Sequence, residues 1–75
     1  MKLPPHIVVD ERIRFGKPVI EGTRVPVELI LEKLANGSSE EELVNEYQIT
    51  RDDIHAALHY AASVIAEEQV KAIGR

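Results

Sequence analysis

Cysteine and tryptophan are absent from this chain, and only three of its 75 residues are aromatic: Phe15, Tyr47 and Tyr60. Without cysteine there is no disulfide and no thiolate-held metal staple, which fits a cytoplasmic setting. The scarcity of aromatics argues against the base-stacking platforms of single-strand nucleic-acid binders. No window approaches the roughly 18 apolar residues needed to span a bilayer. The opening MKLPPHIVVD also lacks the apolar core of a secretory signal. No membrane partner is therefore expected. A phosphate-binding glycine loop is missing too, because Gly16 and Gly22 lie far apart and in strand-like context. No nucleophile–base pair stands out: Ser38 and Ser39 sit where helix caps belong, and Ser63 falls inside a helical pattern. Enzymatic activity, a small-molecule substrate and a cofactor are accordingly not expected.

A single domain over residues 1–75 is the expectation for this length. So short a chain buries a low fraction of its surface. With neither disulfide nor metal available, self-association is the remaining common source of stability, and a homodimer is expected. The formal net charge of -4 is unevenly placed. Residues 1–25 carry five basic and three acidic side chains, a balance of +2, whereas residues 26–75 carry four and ten, a balance of -6. A basic arm precedes an acidic body.

The arm reads as a small irregular β region from Ile7 to about Val25. HIVVD is β-branched, RIRF alternates with period two, and KPVIE is again β-type. Phe15-Gly16 and Gly22-Thr23 mark turns, and Pro18 belongs to an edge. Three helices fill residues 26–75. The first begins with Pro26 at the first helical position, repeats Val27, Ile30, Leu31 and Leu34, and stops at Asn36-Gly37. The second is two turns long, opened by a Ser39–Glu42 capping box and by Glu40, Glu41 and Glu42 in its first turn. The third is long, from about Arg51 to Ala72, with Thr50 as its cap. Its apolar face is read as Ile54, Ala57, Leu58, Ala61, Ile65 and Ala72, with Val64 and Val70 off the centre. The short second helix cannot cover all of it, so the far half must meet the arm, a second copy or a partner, or else be partly frayed.

A two-turn helix, the joint Gln48-Ile49-Thr50 and a further helix make a helix-turn-helix layout, with Leu43, Tyr47, Ile49, Ile54 and Ala57 facing inward. A plain three-helix bundle fits the same pattern. The first turn of the third helix offers Arg51 beside Asp52 and Asp53, a poor electrostatic match to phosphates. If duplex DNA is bound, the candidates are Arg12, Arg14, Lys17 and Arg24 of the arm, with Arg51. Arg24 suits either a bidentate contact to a carboxylate or phosphate or an internal ion pair with a glutamate. His55 and His59 share a helix face, but HAALH lacks the glutamate of a catalytic zinc motif. No metal site is assigned.

GKPVIEGTRVPV, then ILEKLANGSSEEELVNEY, then DDIHAALHYA resembles the small bacterial family called domain of unknown function 433. The resemblance runs from about Ile7 to Ala61, and its signature positions here are Gly16, Pro18, Gly22, Thr23, Arg24 and Pro26. It implies a mostly α, homeodomain-like helix-turn-helix fold behind a short N-terminal β arm or hairpin. It also implies an antitoxin that binds a PIN-like ribonuclease toxin, with DNA-binding autoregulation of its own promoter. Alternatives are a stand-alone helix-turn-helix regulator and a purely structural dimeric module. The far end of the long helix, Val64, Ile65, Glu68 and Ile73, is the expected partner-binding element, since amphipathic helices dock in grooves. The chain has Gln48 where the family tends to carry a proline after the tyrosine.

Overall fold

The computed structural model describes the backbone of residues 3–73 and the side chains of residues 3–67. Two short strands, β1 (Ile7–Val9) and β2 (Pro18–Ile20), are followed by helices α1 (Val27–Ala35), α2 (Glu40–Tyr47) and α3 (Arg51–Ile73). The strands pair antiparallel in the register Ile7 to Ile20, Val8 to Val19 and Val9 to Pro18. Pro18 takes the last pairing position, where its missing N–H is tolerated. Val19 makes a further bridge to Pro26, which ties the entrance of α1 to the hairpin.

The β region is narrower than its sequence suggests. Arg12 and Ile13 belong to a turn instead of a strand, despite their alternation. The Asp10 carboxylate accepts the Arg12 N–H at 2.9 Å, and the Ile13 N–H donates to the Asp10 carbonyl at 2.8 Å. That local closure ends β1 at Val9, because an aspartate side chain can take the place of a ladder partner.

Each helix is bounded by chemistry that its sequence carries. Pro26 lies one position earlier than expected, at the cap, with an extended φ of -70° and ψ of 145°. Its carbonyl accepts from Leu29 and Ile30. At the other end of α1, Ser38 N–H reaches the Lys33 carbonyl and Gly37 N–H the Leu34 carbonyl. This pairing requires the left-handed residue that Gly37 supplies at φ 99°. Ser39 and Glu42 form the reciprocal capping box of α2, at 3.1 Å and 2.8 Å. Thr50 and Asp53 form a second reciprocal pair at the start of α3, at 3.1 Å and 2.9 Å.

Ile7, Ile20, Val27, Ile30, Leu43, Ile49, Ile54, Ala56 and Ala57 make one core, to which the hairpin and all three helices contribute. β1 packs on α3 and β2 on α1, so the hairpin is part of the domain rather than a free arm. Tyr47 is half-buried beside Leu43, in the inward position its spacing indicates. The apolar face of α3 is turned from the expected one. Ala56 and Ala57 are buried and Tyr60, Ala61 and Val64 are half-buried, while Leu58 is 42% and Ile65 54% exposed. At roughly 1.5 Å per residue α3 is about 34 Å long. It therefore extends past the short α2, in a molecule whose longest axis is 44 Å.

Candidate interaction surface

The signature residues divide by what they do for the backbone. Gly16 and Gly22 have φ of 82° and 80°, a region that a Cβ disfavours. The Thr23 hydroxyl donates to the Ile20 carbonyl at 2.8 Å and accepts the Val25 N–H at 3.0 Å, locking the turn between β2 and α1. Pro18 closes the strand pairing and Pro26 is buried against Val19. Gly16 and Pro18 thus shape the hairpin, and Gly22, Thr23 and Pro26 build its connection to α1. Arg24 does neither: it is exposed, and the ion pairs among the described residues do not include it. Of its two expected uses, the internal pair with a glutamate is not formed.

Three of the other candidate cations are engaged within the chain. Arg12 grips Asp10 through two guanidinium nitrogens, at 3.1 Å and 2.9 Å. The Arg12 side chain thereby holds the Asp10 carboxyl below its usual range, and Asp10 raises Arg12 in return. Lys17 reaches Glu28 at 2.7 Å and lowers that carboxyl as well. Arg51 approaches Glu40 at 3.4 Å. The point where a recognition helix would enter DNA is therefore an arginine paired at the surface with Glu40, next to an exposed Asp52 and a capping Asp53. Of the five candidates, Arg14 and Arg24 remain outside these pairs.

The histidines are split by the fold. His55 and His59 are exposed on the outer face of α3, with His55 Nε2 3.5 Å from Glu40 Oε2. No group of three or more potential metal-binding side chains occurs among the described residues. His6, which local sequence gives no reason to single out, bonds Asp53 Oδ1 through Nδ1 at 2.9 Å. It joins the start of β1 to the start of α3 across 47 positions, a separation that hides the pair from any pattern along the chain.

Two apolar surfaces stay open. On the outer side of α3, Leu58, Ala62 and Ile65 follow one another at steps of four and three, all exposed. On the inner side, a cleft of about 410 Å³ opens between α1 and α3, lined by Pro18, Val27, Leu31, Tyr60, Ala61 and Val64. Of the expected partner-binding residues, Val64 faces this cleft and Ile65 sits on its rim, exposed. The side chains of Glu68 and Ile73, and those of Val70 and Ala72 on the expected apolar stripe, lie outside the described residues. The exposure of Phe15, at 98%, is the feature that sequence reasoning missed; an aromatic beside a glycine turn gives no sign of whether it packs. No helix among the described residues is long and apolar enough to cross a membrane.

Comparison with known proteins agrees with this architecture. A crystal structure of a DUF433 member protein from Anabaena variabilis superposes with a TM-score of 0.74 at 27% identity, covering 97% of this chain and 72% of that one. The structure of Rv2018 from Mycobacterium tuberculosis superposes with a TM-score of 0.64 at 33% identity, over 69% of this chain. That overlap takes in 24% of Rv2018, so the chain corresponds to about a quarter of the longer protein. No match was found among curated proteins. The family model described as "Protein of unknown function (DUF433)" matches residues 7–61, the span that holds the hairpin, α1, α2 and the packed half of α3, and the chain belongs to that family.

Proposed function

We propose that this chain is the antitoxin of a toxin–antitoxin pair, a binding protein that occupies and neutralises a PIN-like ribonuclease. The observation that carries the reading is the outer stripe of α3. Leu58, Ala62 and Ile65 form an uncovered apolar line on a helix that outruns its own domain. Such a line is the form in which amphipathic helices enter grooves on partners. The charge of the body supports the same partner class. Residues 26–75 carry a balance of -6, and an enzyme that binds RNA presents cationic surface to which acidic side chains are complementary. Glu67 extends that acidity along α3.

A second reading, a regulator that binds duplex DNA, is favoured by one observation: Arg24 is exposed within a rigid turn and stands outside the ion pairs of the described residues. Promoter binding by the antitoxin itself would use the same residue. The engaged Arg51 and its neighbouring carboxylates give α3 no comparable role.

Affinity purification of the tagged chain from its native cells, with mass spectrometry of the proteins that co-purify, tests the first reading. The expected result is a stoichiometric PIN-like nuclease whose RNA cleavage stops when this chain is added, and is not stopped by the Leu58→Glu/Ile65→Glu variant. Retention of duplex DNA without a nuclease, released steeply by salt and lost in Arg24→Ala, moves the function to the regulator. If neither appears, the chain is a structural module.

A further inference from the structure

The tip of the hairpin is built against backbone preference. Arg14, Phe15 and Gly16 have φ of 53°, 57° and 82° in succession. Two of the three carry a Cβ and so resist the left-handed region. The turn is closed by Gly16 N–H to the Ile13 carbonyl and Lys17 N–H to the Arg14 carbonyl, both at 3.2 Å. Its effect is to hold the chain's one phenylalanine out into solvent, 98% exposed. A strained residue that displays an aromatic ring points to a use for that ring.

A hole lies beside this knob. Lys17 and Glu28 line both the hollow at Phe15 and the apolar cleft between α1 and α3. Their 2.7 Å ion pair stands between the two. Knob and hole therefore share one face. That is the condition for a two-fold interface, in which the same patch meets itself and each contact occurs twice. A knob on a different face from its hole would lead to open chains instead. The cleft, at about 410 Å³ with an almost wholly apolar lining, has room for a phenyl ring and its neighbours.

We infer that a second copy of this chain covers this face, each Phe15 seated in the other copy's α1–α3 cleft about an axis near the Lys17–Glu28 pair. Charge fits the exchange: the face carries both signs, Arg14 and Lys17 beside Glu28, so a second copy of the same face meets complementary charge. The size of the domain fits it as well, since a core this small gains from association. Of the outer stripe, Leu58 and Ala62 do not line the cleft and Ile65 sits on its rim, so Leu58→Glu alone separates the inhibitor reading from this assembly, which Phe15 tests.

Sedimentation velocity of the full chain across micromolar concentrations is the test, with Phe15→Ala, Phe15→Leu and a cysteine pair. The wild type is expected as a dimer. Phe15→Ala removes two ring-in-cleft contacts per dimer and should weaken association on the order of 100-fold or more, with helix content unchanged because the exposed ring buries almost nothing within its own chain. Phe15→Leu should retain most of the association. The chain has no native cysteine, so mixing Phe15→Cys with Ala61→Cys under oxidation should link different copies. A monomer at every concentration, a dimer indifferent to Phe15→Ala, or links only between two copies of Phe15→Cys would each overturn the inference. So would a Phe15→Ala protein that keeps its mass but loses duplex DNA, which would make the ring a groove wedge.

Discussion

Asp53 caps its own helix and anchors a distant strand with the same carboxylate. One oxygen takes the Thr50 N–H at 2.9 Å and the other takes His6 Nδ1 at 2.9 Å. Burial pushes the carboxyl up, but the Thr50 N–H, the His6 ring and the Thr50 hydroxyl together outweigh it and hold it below its ordinary value. A carboxyl depressed in the folded state adds stability above its unfolded pKa of about 3.9 and loses it as pH falls through the folded value. Asp10, Glu28 and Glu42 are depressed as well, so they act with the same sign. Asp53→Asn separates the one from the many. It should lower stability by about 1 kcal/mol near neutrality, the usual worth of a helix cap. The gap to the wild type in thermal melts should begin to narrow as pH falls toward the unfolded pKa and close only once pH has passed through the depressed native value. A gap of constant size would refute the role of the charge.

Between α2 and α3 the chain turns on Gln48, at φ 57° and ψ 42°. Glycine is the usual occupant of that conformation, and a side chain there costs on the order of 1 kcal/mol. The Gln48 amide offsets part of this by donating to the Asn45 carbonyl at 2.9 Å. Gln48→Gly should raise stability by about 0.5–1 kcal/mol, read as a rise of a few degrees in Tm; a fall would mean that the amide bond outweighs the strain. The elements most legible in the sequence are those closed by short-range chemistry. The Ser39–Glu42 box, the Thr50 cap and the Asn36-Gly37 stop all act within a few residues, so pattern and structure coincide. RIRF misleads for the same reason: its alternation is real, but the Asp10 side chain captures the Arg12 N–H and turns the chain before a ladder can form. The cations of the arm are visible in the sequence as positions without partners. Lys17 meets Glu28 only after the hairpin folds onto α1, and Arg14 and Phe15 take left-handed dihedrals that no residue type there requests.

At the scale of the molecule, the orientation of α3 decides which surface is left for others. Its sequence offers an apolar arc wider than one interface can bury, from Val64 and Ala57 through Ile54 and Ala61 to Leu58 and Ile65. Periodicity places the arc but not its centre. The centre is set by β1, α1 and α2, which pack against α3 from one side and draw in Ala56, Ala57, Tyr60 and Val64. Leu58 and Ile65 are turned outward by that choice, and the interaction reading depends on it. The orientation has a direct consequence for stability. Leu58→Glu and Ile65→Glu should each shift unfolding by no more than about 0.5 kcal/mol, as surface substitutions do. Ala57→Glu, one residue away from Leu58, places a charge at a fully buried site and should cost about 3 kcal/mol or more, enough to unfold much of a domain this small. Denaturant titration of the three variants checks the order. If Leu58→Glu unfolds the chain as Ala57→Glu does, the outer stripe is core, and the helix has no free apolar face to offer a partner.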